Sequence, residues 1–112
     1  MESIAETSCE ACRAGAPRVT EEEELSLHSQ VLDWEIVEIG GIKRLVRTFR
    51  FPDFIQSLTF TGKVGVIAEE EGHHPSIVTE YGKVEVSWWS HKIRGLHRND
   101  FIMAAKTDKL YA

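Results

Sequence analysis

The residues best suited to chemistry in this chain lie in one short run, Glu69-Glu70-Glu71-Gly72-His73-His74-Pro75, with another imidazole downstream at His91. Carboxylates that close favour the imidazolium form of a histidine, the form able to hand on a proton near neutral pH. Three acids in the last turn of a helix also face the negative end of its dipole, which costs about 0.3–1 kcal/mol per charge unless cations compensate. Pro75 restricts His74 to extended backbone, so the two adjacent rings leave a stiff junction in different directions. The residue types alone leave two other readings open. Loop histidines are often only solvated or bonded to nearby acids. Glu69, His73, His74 and His91 are also zinc-ligand types. Neighbouring histidines rarely reach one ion, however, and the spacing is not HExxH, so no metal is expected.

The elements that must carry these groups can be read from capping and periodicity. Thr20-Glu21-Glu22-Glu23 matches a capping box, and Leu25, Leu27, His28, Val31 and Leu32 then give helix one an apolar side. Runs at 34–39 and 42–51 flank Gly40-Gly41 and predict a hairpin. In its second strand Leu45, Phe49 and Phe51 share a face, Arg44, Thr48 and Arg50 take the other, and Arg47 falls on the apolar side as an exception. Helix two is expected over 52–71, with Phe54, Ile55, Leu58, Thr61, Gly65 and Ala68 turned inward. Gly62 and Gly65, each costing about 1 kcal/mol relative to Ala, suggest close packing against the sheet, and Gly72 supplies the left-handed cap. Runs at 75–81 and 83–90 form a second hairpin around Gly82. Val84, Val86 and Trp88 face one way and Glu85, Ser87 and Trp89 the other, so that an exposed Trp89 hints at a subunit contact. Asn99-Asp100 open helix three, with Phe101, Ile102, Ala105 and Leu110 among its apolar positions. The fold class is therefore α+β: a four-stranded antiparallel sheet with helices packed on one face, in the order α-β-β-α-β-β-α.

Bulk properties narrow the functional classes. The 112 residues suffice for one core, expected over 20–112 behind a flexible leader at 1–19. With 42% hydrophobic and 28% charged residues the composition is that of an ordinary globular protein. A formal net charge of -5 argues against nucleic acid as the main partner. The N-terminal residues lack the basic and apolar regions of a secretory signal, so a cytoplasmic location without membrane contact is expected. Cys9 and Cys12 form a lone CxxC without a second pair for zinc or a βαβ setting for redox work, and are read as reduced thiols.

Over residues 20–111 the string Glu69-x-x-x-His73-His74-Pro75, followed by Tyr81, Ser90-His91, Gly95-Leu96 and Asp100, resembles the pterin-4a-carbinolamine dehydratase family. That resemblance implies a cofactor-free dehydration of 4a-hydroxytetrahydropterin to quinonoid dihydropterin, a step that regenerates the cofactor of aromatic amino acid hydroxylases. By position, His73 and His91 match the acid/base histidines and His74 the one credited with holding the pterin. Substrate contacts would then come from Glu69, His74 and Pro75. Glu69 would orient or balance His73, and Asp100 would cap helix three. The resemblance also implies a homodimer or homotetramer, with an aromatic amino acid hydroxylase as a possible partner; the alternative it leaves is a non-catalytic dimerisation cofactor or transcriptional co-regulator. Two departures stand out: Gly72 where several relatives carry Asp, and His97, beside Arg98, where relatives often place Ser or Thr.

Overall fold

Thr20 opens α1 (Glu21–His28) by the reciprocal bonds of a capping box: its hydroxyl accepts from the Glu23 backbone N–H at 3.2 Å, and the Glu23 carboxylate accepts from the Thr20 N–H at 2.9 Å. The computed structural model describes residues 4–6 and 18–111. Of the apolar side expected for this helix only Leu27 and, just beyond it, Val31 are buried, while Leu25 and Leu32 point to solvent. The chain then enters β1 (Glu35–Ile39), reverses through Gly40 and Gly41, and returns as β2 (Ile42–Arg50). Both turn glycines have positive φ, 59° and 79°, the backbone a tight two-residue hairpin needs and that L side chains resist.

After β2 the helix α2 (Phe54–Glu71) begins behind the N-cap Asp53, whose carboxylate accepts from the Gln56 N–H at 2.8 Å. The second hairpin, β3 (Ser76–Glu80) and β4 (Lys83–Trp88), turns at Gly82, and α3 (Arg98–Tyr111) closes the chain. The strands form one antiparallel sheet in the order β1-β2-β4-β3. The α+β class and element order are those expected from the sequence. On the covered face Leu45, Phe49, Val84, Val86 and Trp88 pack beneath α2 and α3 in one cluster with Phe60, Val64, Phe101 and Ile102.

Arg47 lies on this covered face because α3 supplies its counter-ion. Its Nη1 donates to Asp108 Oδ1 at 2.6 Å, and its guanidinium lies 4.5 Å from the Phe49 ring centroid. The same carboxylate oxygen accepts from the indole Nε1 of buried Trp34 at 2.8 Å. One α3 carboxylate thus satisfies two inward-facing donors that would otherwise be costly to bury.

The orientation of α2 differs from expectation. Its buried side is Ser57, Phe60, Val64 and Ala68, whereas Ile55 is 69% exposed and Phe54 and Leu58 also face out. The helix carries apolar residues on both sides, so periodicity alone cannot choose between them. Gly62 and Gly65 do not mediate close packing, since a Cβ at either would meet nothing within 4 Å.

Within the span read as a leader, Ile4–Glu6 form a short 3-10 turn whose Ile4 and Ala5 join the core, with the Ala5 carbonyl accepting from Lys106 Nζ at 2.9 Å. Cys9 and Cys12 lie outside the described residues. Among the described residues no helix is long and apolar enough to cross a membrane.

Candidate active site

The end of α2 determines where the two adjacent histidines point. Gly72 takes φ 63° and ψ 30°, and the N–H of His73 bonds back to the Ala68 carbonyl at 3.1 Å, the reversal that commonly ends a helix on glycine. Chain direction changes here, so His73 turns inward, 5% exposed, and His74 turns outward. The His73 ring stacks on Trp88 with centroids 5.7 Å apart and planes 8° from parallel. Its Nε2 lies 2.6 Å from Asp100 Oδ1. A carboxylate only accepts, so Nε2 carries the hydrogen and Nδ1 is the acceptor of the neutral ring.

Glu69 does not serve His73, the role that the family resemblance implies for it. It bonds His74 instead, Oε1 to Nε2 at 2.7 Å. The glycine reversal explains the exchange: Glu69 lies on the exposed side of the last turn, and the residue delivered to that side is His74. Both side chains are largely in solvent, so the pair orients a ring and adds little to stability.

Asp100 is more than a helix cap. It is the third residue of α3, and its Oδ2 accepts from the His97 N–H at 2.8 Å while the His97 ring, through Nδ1, accepts from the Asn99 N–H at 3.1 Å. His97 therefore performs the capping task usually given to Ser or Thr, while the Asp100 carboxylate satisfies the His97 N–H. The same Oδ2 accepts from the Ser90 hydroxyl at 2.8 Å. One fully buried carboxylate thus ties together His73, the start of α3 and the residue preceding His91.

His91 sits on the loop after β4. That loop is pinned at its base, where Ser90 and Gly95 exchange backbone bonds of 2.9 and 3.4 Å, and is braced by Arg18 Nε donating to the Ile93 carbonyl at 2.9 Å. The outcome is an open cleft of about 330 Å³ lined by Gly72, His73, His74, His91 and Lys92. The three imidazoles singled out from sequence thus surround one space, large enough for a small ring system. Pro75 is half-buried at the junction and is not among the residues lining the cleft. Trp89, expected to be bare, is partly covered. Sequence reasoning missed Ser90 as a ligand of Asp100 and Trp88 as the platform for His73. Inward parity of Trp88 was legible; its imidazole partner was not.

An open-faced α+β sheet whose cleft is ringed by imidazoles, one of them held by a buried carboxylate, has the groups that move protons on a small molecule. Residues 17–110 match the pterin 4 alpha carbinolamine dehydratase family, and the chain belongs to that family of hydro-lyases. A Nitrosococcus oceani protein bearing the pterin-4-alpha-carbinolamine dehydratase name is 61% identical over 110 residues, 98% of this chain and 97% of that one. A Syntrophotalea carbinolica protein of the same name is 58% identical, covering 98% of each. Among solved structures, a Brucella melitensis protein described as a transcriptional coactivator/pterin dehydratase superposes with a TM-score of 0.76 at 27% identity, covering 86% of this chain and all of that one.

Proposed function

We propose that this protein dehydrates 4a-hydroxytetrahydropterin to quinonoid dihydropterin by histidine acid/base catalysis. The observation that carries the reading is that His73, His74 and His91 line a single cleft while Asp100 holds the first of them. Hydroxide is a poor leaving group from C4a unless its oxygen is protonated as the C–O bond breaks. In this reading one of His73 and His91 gives that proton, and the other, or water, takes a proton from the ring system as the C4a=N5 double bond forms and water departs. Asp100 keeps the His73 ring in one tautomer and balances the charge the ring acquires when it takes a proton. His74, steadied by Glu69, holds the pterin.

The reaction would recycle the cofactor of an aromatic amino acid hydroxylase in the cytoplasm, with no cofactor of its own. The family match supports the substrate class, and the cleft supports a ligand of that size. Purified protein should speed the disappearance of the 4a-hydroxypterin absorbance above the spontaneous rate. Equal rates with and without protein would remove the proposal.

Self-association into a homodimer or homotetramer belongs to the same reading. It is supported by the outward face of α2, where Phe54, Ile55, Leu58 and Val66 are all more than 40% exposed, a patch of the kind that marks protein contacts. Light scattering that reported only monomer would remove it. The coactivator named in the Brucella melitensis description supports a second, regulatory role for such a surface, which a pull-down of defined protein partners would test.

A further inference from the structure

His73 and His74 are each aimed by a carboxylate, but His91 is aimed differently. Its ring lies face to face with the indole of Trp89, centroids 4.4 Å apart and planes 22° from parallel. On the indole also sits Arg44, with its Cζ 4.0 Å from the ring centroid. The register favours this arrangement: Leu45 pairs with Trp88 at the end of the β2–β4 ladder, and Arg44 and Trp89 are the next residues of the two segments just beyond that pair.

The position of Arg44 carries a cost. Its Nε is buried and finds no hydrogen-bond partner among the described residues. A guanidinium normally satisfies its five donors, and an unsatisfied buried donor is rare enough to call for a reason. Here the planar group gives up a hydrogen bond to lie over the indole, an association to which arginine is better suited than lysine. Trp89 is thereby held against the strand, and a fixed indole presents a fixed plane to the imidazole beside it.

We propose that Trp89, clamped by Arg44, is a positioning residue for the dehydration: its indole sets the ring plane of His91 and so directs the imidazole nitrogens into the cleft. The inference rests on the reading of His91 as an acid/base group. Neither Trp89 nor Arg44 lines the cleft, so their contribution passes through the orientation of His91 and is read in turnover rather than in substrate affinity. An acid/base group displaced by a fraction of an ångström loses rate without loosening the substrate.

The test compares wild type with Trp89→Leu, Trp89→Phe, Arg44→Met and His91→Ala, measuring kcat and KM for dehydration and the NMR shifts of the His91 ring protons. Trp89→Leu is expected to lower kcat about tenfold, the scale seen when a supporting partner of a functional histidine is lost, with KM within about twofold. The displacement of the His91 ring protons caused by the stacked indole should vanish with it. Trp89→Phe restores an aromatic face and should bring kcat back to within about threefold of wild type. Arg44→Met, which removes the clamp and keeps the indole itself, should lower kcat by about threefold and alter the same NMR signals. Wild-type kcat in Trp89→Leu, or a change confined to KM, alongside a crippled His91→Ala would overturn the positioning role alone. Wild-type turnover in His91→Ala would instead overturn the acid/base assignment of His91, and the positioning role with it.

Discussion

Oδ1 of Asp100 lies 2.6 Å from Nε2 of His73, while the other oxygen of that carboxylate holds the Ser90 hydroxyl and the His97 N–H at 2.8 Å each. One buried side chain therefore sets both the tautomer of His73 and the seat of the loop that carries His91. Asp100→Asn keeps the shape and removes the charge. It is expected to lower kcat by about 10–100-fold with little change in KM, the usual range for a group that orients a functional histidine. Steady-state kinetics on the variant checks this, and an unchanged kcat would show that Asp100 is only a cap.

Asp108 should matter for stability and not for catalysis. Its Oδ1 serves both Trp34 Nε1 and Arg47 Nη1, so Asp108→Ala leaves an indole N–H and a guanidinium without their acceptor on the covered face of the sheet. A loss of about 2–3 kcal/mol is expected, measurable by urea denaturation. The more exposed Lys43–Glu24 pair at 3.1 Å provides the contrast, where Lys43→Ala should cost no more than about 1 kcal/mol.

The start of α1 should respond to acid. The pKa of Glu23 is lowered from its ordinary value of 4.5, first by the backbone N–H of Thr20 and then by the Thr20 side chain. A depressed carboxylate contributes stability that is fully present above its unfolded value and is lost as pH falls through the lower folded value. Chemical shifts of the Thr20 and Glu23 amides should therefore move at lower pH than those of an ordinary glutamate. In Thr20→Ala, Glu23 should titrate nearer its ordinary range.

Much of this architecture is legible in the chain because it is local. Thr20 with Glu23, the Gly40-Gly41 turn, the Gly72 cap and the alternation Val84-Val86-Trp88 each report their own backbone within a few residues. The inward side of α2 was not legible, since Phe60 and Val64 compete with Ile55 and Leu58 for the same periodicity. The partner of Arg47 was hidden for another reason, being a carboxylate 61 residues away in sequence. The three histidines of the site could be named at once, but their partners could not: the glycine reversal after Glu71 passes Glu69 to His74 and leaves His73 to Asp100. Likewise His97 looked like a departure at the start of α3, yet its ring nitrogen accepts the same backbone N–H that a serine cap would.

The most direct test of the account separates turnover from binding at the three imidazoles. In a stopped-flow assay of 4a-hydroxytetrahydropterin dehydration, His73→Ala and His91→Ala should each reduce kcat by about 10²–10⁴-fold, the contribution of a placed acid or base. His74→Ala should act mainly by raising KM. Loss of kcat confined to His74→Ala, with His73→Ala and His91→Ala turning over as wild type, would contradict the account.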